Sequence, residues 1–103
     1  MHEYRVIITP RASSDLDAIH GHIAADTPRH ADGMVRQILD ALELLKLFPS
    51  RAVVLGQKSG VREPVRKVIV KPFIIYFRLR EEQKIVHVLH IRHGARRQPK
   101  RFP

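Results

Sequence analysis

A chain of 103 residues, 44% apolar and without cysteine, is one small domain, spanning 1–103, with a modest core and no disulfide framework. Its net charge of +9 is unevenly placed: residues 1–50 carry 5 basic and 7 acidic side chains, whereas residues 51–103 carry 14 and 3. No apolar run reaches the ~18 residues of a membrane span, and MHEYRVIITPRAS turns polar too early for a secretion signal, so a cytoplasmic protein is expected. A second half this basic is suited to an anionic partner: nucleic acid, an acidic protein or a membrane surface.

The elements follow in chain order. YRVII, residues 4–8, is short and β-branched and reads as a strand. Thr9-Pro10 then starts a helix, with Thr9 as cap and Pro10 at its first position. Ala12, Leu16, Ile19 and Ile23 form its apolar face, and Asp15 and Asp17 sit near its positive end. Thr27-Pro28 repeats the signal and starts a second helix, with Ala31, Met34, Val35, Ile38, Leu42 and Leu45 on one face and Phe48-Pro49 as its stop. So short a link makes the helices an antiparallel hairpin. Residues 50–62 read as a loop. Three strands follow, 65–70, 73–79 and 85–92, separated by turns at Lys71-Pro72 and 80–84. The order is β-α-α-β-β-β. The expected fold class is α+β, with the hairpin packed on one face of a small, twisted, mainly antiparallel sheet.

Strand alternation assigns faces. Phe73, Ile75, Phe77 and Leu79 should meet the helices, while Tyr76, Arg78, His90 and Arg92 should face outward. In the last strand, alternation groups Ile85, His87, Leu89, Ile91 and His93, opposite His90. His87, His90 and His93 therefore do not converge, and no metal or other cofactor is expected. Glu63, a carboxylate inside the basic segment, reads as a solvated loop residue rather than a general base for Arg62, Arg66 or His90. The serines lack a nucleophile-elbow context, and LGQKSG lacks the P-loop spacing. What remains is a cluster of cations on the three strands and a basic tail, residues 93–103. Such a cluster contacts phosphates or carboxylates. With a histidine or tyrosine to move protons it also provides the parts of a metal-free ribonuclease.

The chain resembles the RelE/ParE superfamily of bacterial toxins from type II toxin–antitoxin modules. The resemblance covers nearly its whole length. It is carried by YRVIITPRASSDLDAI, by the helix opening at TPRHA, and by VKPFIIYFRLREEQKIVHVLHIRHGARR with its closing His-Gly-x-Arg. It implies a toxin neutralised by a cognate antitoxin whose C-terminal segment wraps around it, with DNA met only indirectly through that antitoxin. It also implies one of two activities. RelE-like members cut mRNA on the ribosome, and ParE-like members inhibit DNA gyrase. The RelE-like site needs an arginine just after the aromatic that opens the third strand, where this chain has Ile74, and RelE-like chains tend to carry a tyrosine beyond the final strand, where this tail, ending KRFP, has Phe102 and no tyrosine. Both departures favour the ParE-like branch.

In that branch the expected gyrase-binding surface is Arg66, Arg78, His90, Arg92, Arg96 and Arg97. The antitoxin would lie against Leu16, Ile19, Ile38 and Leu42, with Lys67 and Lys71 meeting its acidic side chains. The alternative is a ribosome-dependent endoribonuclease with His93 as acid/base and Arg66, Arg92 and Arg96 holding phosphate. A third reading is a non-toxic basic binding module.

Overall fold

The computed structural model describes residues 3–47, 53–54 and 64–95. They form β1 (Arg5–Ile8), α1 (Pro10–Ala24), α2 (Pro28–Leu45), β2 (Val53–Val54), β3 (Val65–Val70), β4 (Phe73–Arg80) and β5 (Ile85–His93). The two Thr-Pro pairs open the two helices by different means. The Thr9 hydroxyl oxygen accepts from the Ala12 N–H at 3.3 Å and donates to the Val88 carbonyl at 2.7 Å, so one side chain caps α1 and pins it to β5. Thr27 makes no side-chain cap bond, and there the proline alone marks the start.

The sheet order is β1-β5-β4-β3-β2. β1 runs parallel to β5, and every other pairing is antiparallel. The predicted meander β3-β4-β5 is present, and the helix hairpin carries the chain from β1 to the far side of the sheet. β2 is a correction: its two residues pair with Lys67 and Arg66 within the segment read as loop. So short a strand has no periodicity to reveal it. Phe48-Pro49, the expected helix stop, lies outside the described residues, and α2 ends earlier, at Leu45. Among the described residues no helix is long and apolar enough to cross a membrane.

The core lies between the hairpin and one sheet face. Ala12 of α1 and Met34, Ile38, Leu42 and Leu45 of α2 meet Phe73, Ile75, Phe77 and Leu79 of β4 and Val86, Val88 and Ile91 of β5. Each fully buried large apolar side chain stabilises by about 1.5–3 kcal/mol, so this cluster is what fixes the hairpin to the sheet. It also corrects an expectation. Ile38 and Leu42 are the sheet-facing side of α2 and are buried, so they line no surface groove. Leu16 and Ile19 are half-buried against the same cluster. The exposed leucines of α2 are Leu39 and Leu44.

One irregularity sets the faces of β5. Tyr76 opposes His90, yet its neighbour Phe77 opposes Val88, which leaves Leu89 as the extra residue of a β-bulge. Before the bulge Val86 and Val88 turn to the core, and after it Ile91 and His93 do. Simple alternation across 85–93 therefore fails. His87 lies opposite Arg78 and His90 opposite Tyr76, so these two histidines share the outer face, away from the helices, and His93 is on the other.

Candidate functional site

The outer sheet face is built from alternate residues of three strands. β3 supplies Val65, Lys67 and Ile69; β4 supplies Ile74, Tyr76 and Arg78; β5 supplies His87, His90 and Arg92. In register, Lys67 lies beside Tyr76, Tyr76 beside His90, Arg78 beside His87, and Ile74 between Ile69 and Arg92. The result is a basic surface with an apolar corner at Ile69 and Ile74. Two expectations change here. Arg66 opposes Phe77 on the helix side, so it does not join Arg78 and Arg92. Its Nε is buried with no hydrogen-bond partner among the described residues. Lys67, expected to serve the antitoxin, takes the outward position instead.

The centre of this face is closed rather than open. Tyr76 is 3% exposed and His90 8%. Burial raises the Tyr76 hydroxyl above its ordinary pKa, with Arg92 partly opposing. Burial also lowers the His90 imidazole below its ordinary value, the Asp15 carboxylate opposes that, and the Arg11 and Arg92 guanidiniums reinforce it. At neutral pH the centre is thus an un-ionised phenol beside a neutral imidazole. The expectation that His90 and Tyr76 lie outward is correct for the face and wrong for accessibility.

Asp15 of α1 reaches His90 at the edge of β5. Its Oδ2 accepts from the Ile91 N–H at 3.1 Å and lies 3.6 Å from His90 Nδ1, and its Oδ1 lies 3.4 Å from Arg11 Nε. β1 ends at Val88's level, so among the described residues the edge of β5 beyond it has no strand partner on that side. Thr9 and Asp15 satisfy that edge in its place. Sequence reasoning placed Asp15 only as a helix-dipole residue. Nothing in its spacing, apart from Arg11 one turn earlier, marks it as a link to β5.

His93 is on the helix side, edge-on to Phe73 with ring centroids 5.4 Å apart, and its Nδ1 accepts from the Ala95 N–H at 3.0 Å. The alternative catalytic group therefore does not converge: His93 and Arg66 occupy one face, Arg92 the other. Gly94 follows His93 because the chain turns back onto the β3–β4 turn, its N–H donating to the Pro72 carbonyl at 2.8 Å. An added Cβ would lie 3.2 Å from that oxygen. Arg96 and Arg97, Glu63 and the rest of the tail lie outside the described residues. Lys71 is exposed in the β3–β4 turn. Among the described residues no group of three or more histidine, aspartate or glutamate side chains is placed to hold a metal ion.

The chain is similar to known toxins in both sequence and fold. A family model described as the ParE toxin of type II toxin–antitoxin systems, parDE, matches residues 6–98. A structure of the chromosomal ParDE system from P. aeruginosa is 27% identical, covering 90% of this chain and 98% of that one with a TM-score of 0.70. The archaeal RelE–RelB complex from Pyrococcus horikoshii shares the fold at 13% identity, 92% and 99% coverage and a TM-score of 0.68. The toxin–antitoxin complex RelBE2 from Mycobacterium tuberculosis does so at 21%, 93% and 97%, and 0.64. No curated protein matches. With nine-tenths of its length matched by that model and its fold shared with these structures, the chain belongs to the ParE toxin family of type II toxin–antitoxin systems.

Proposed function

We propose that this toxin acts by binding DNA gyrase through the outer sheet face, with no chemistry of its own. The observation that carries this reading is the composition of that face. Lys67, Arg78 and Arg92 surround a buried, un-ionised Tyr76–His90 pair, and Ile74 occupies the position where the RelE-like site needs an arginine. Cations around a closed centre make a docking surface; a ribonuclease needs an acid and a base that reach the substrate. The wrong-side placement of His93 weighs against the mRNA-cleaving alternative in the same way. A cognate antitoxin would neutralise the protein. Acidic side chains would suit Lys71, and apolar ones would suit the exposed Leu39 and Leu44 of α2.

The test is gyrase supercoiling with and without the purified protein, alongside mapping of mRNA ends after brief expression in cells. Loss of supercoiling with intact mRNA is the expected result, and the double charge reversal Lys67→Glu with Arg78→Glu should abolish it. Full supercoiling together with cleaved mRNA would replace this reading with the ribonuclease one. Growth without any defect would favour a non-toxic binding module.

A further inference from the structure

The strands β3, β4 and β5 contain no aspartate or glutamate, so the outer face carries cations with no carboxylate among them. On that face Ile69 is 57% exposed although it is apolar and β-branched. A single exposed isoleucine is ordinary; the setting of this one is what gives it meaning. Ile69 pairs across the strands with the half-buried Ile74, and Arg92 flanks Ile74 from the other side. Residues on one face of a strand repeat every two positions, about 6.6 Å. Lys67 stands one such step before Ile69, and the exposed Lys71, which opens the β3–β4 turn, follows two residues after it. The corner thus reads cation, isoleucine, cation along β3.

An apolar point ringed by charges is the layout of a protein-docking hot spot, in which the apolar contact supplies affinity and the ring sets orientation. A surface that tracks nucleic acid is built differently. It keeps aromatic rings within reach of the bases, and here Tyr76 is buried. It also gains nothing from an isoleucine held out among its cations, because the phosphates it meets are hydrated ions. In an extended segment of a partner the same two-residue period would bring alternate side chains to this corner in step with Lys67, Ile69 and Lys71.

We propose that the Ile69–Ile74 corner is the anchor point of the outer face and takes an acidic protein segment, with one apolar side chain seated on the two isoleucines and carboxylates two residues to either side meeting Lys67 and Lys71. The partner's identity rests on the gyrase reading; its chemistry comes from the corner itself. The toxin grips an acidic stretch of the enzyme's protein surface, and the DNA that gyrase holds does not touch the corner.

The experiment is an NMR titration of the full chain with the end-blocked peptide Thr-Glu-Thr-Leu-Thr-Glu-Thr, with the same peptide carrying serine for leucine, and with a short DNA duplex, run beside a gyrase supercoiling assay. The leucine peptide should shift the methyl signals of Ile69 and Ile74 and bind in the millimolar range, about tenfold more tightly than the serine peptide. Ile69→Thr keeps a β-branched side chain on the exposed strand surface, so the variant folds. It should weaken the leucine peptide, and raise the concentration that inhibits gyrase, by about tenfold. Ile8→Thr, the same change at an exposed position of β1, should alter neither. The proposal is overturned by unmoved Ile69 and Ile74 signals at about 10 mM peptide, by equal binding of the two peptides, or by a duplex that occupies the corner more tightly than the peptide, which would assign the face to nucleic acid. Inhibition of gyrase by Ile69→Thr at the wild-type concentration would keep the gyrase reading and overturn the corner as its anchor. Leucine-peptide binding by a protein that leaves supercoiling untouched would do the reverse: the corner would stand as a site for acidic protein, and the gyrase reading would fall.

Discussion

Removing the Asp15 carboxylate should cost this fold more than any other single change to an acidic side chain on α1. The side chain is only 14% exposed and accepts from the backbone N–H of Ile91, a residue of the core. Asp15→Ala leaves that N–H without its acceptor at an edge that β1 does not reach, which costs about 1–3 kcal/mol. The pair with Arg11, a mostly exposed partner, adds less than about 0.5 kcal/mol. The expected loss is therefore about 2 kcal/mol, or on the order of 10 °C in Tm for a domain of this size. Asp15→Asn keeps an oxygen acceptor and should lose about half as much. Asp17→Ala, two residues on and exposed, should stay within about 0.5 kcal/mol. Urea denaturation followed by circular dichroism measures all three. A loss below about 0.5 kcal/mol for Asp15→Ala would refute the edge-satisfaction argument. Equal losses for the alanine and asparagine variants would move the cause from the hydrogen bond to the charge.

Three further outcomes follow from the same geometry. Because burial lowers the His90 pKa in the folded protein, the unfolded chain takes up that proton first. The stability His90 confers is thus complete above its ordinary value of 6.5 and falls as the pH drops through the lower folded value, so His90→Gln should flatten the decline in urea midpoint on acidification from pH 7.5. Ile38→Ala, at a fully buried position, should cost about 2–5 kcal/mol by denaturation, whereas Leu44→Ala, 56% exposed, should cost less than about 0.5 kcal/mol. Gly94→Ala brings a methyl to 3.2 Å from the Pro72 carbonyl and should lower stability by about 1 kcal/mol; an unchanged Tm would mean that the β3–β4 turn gives way freely.

The functional surface was less legible than the fold. The cations of β3, β4 and β5 are plain in the sequence, but their partition between two faces depends on register. Arg66 and Lys67 exchange sides relative to expectation because Arg66 pairs with Phe77 and Lys67 with Tyr76. His90 is polar and sits among outward residues, so its burial beside Asp15 had no local sign.

The sequence by itself determined the elements and their order. Two Thr-Pro starts, a 3–4 apolar spacing and alternating aromatic and aliphatic strands are local signals, and each reports the water-facing and core-facing sides of its own segment. Tertiary structure alone decided how those sides meet. The parallel β1–β5 pairing stops at Val88, and one extra residue, Leu89, then rotates the rest of β5 by a face. A bulge costs a single position and leaves no compositional mark, yet it moves every later side chain across the sheet. That one residue puts His93 over the core side and leaves His90 beneath the outer face, its Nδ1 3.6 Å from Asp15.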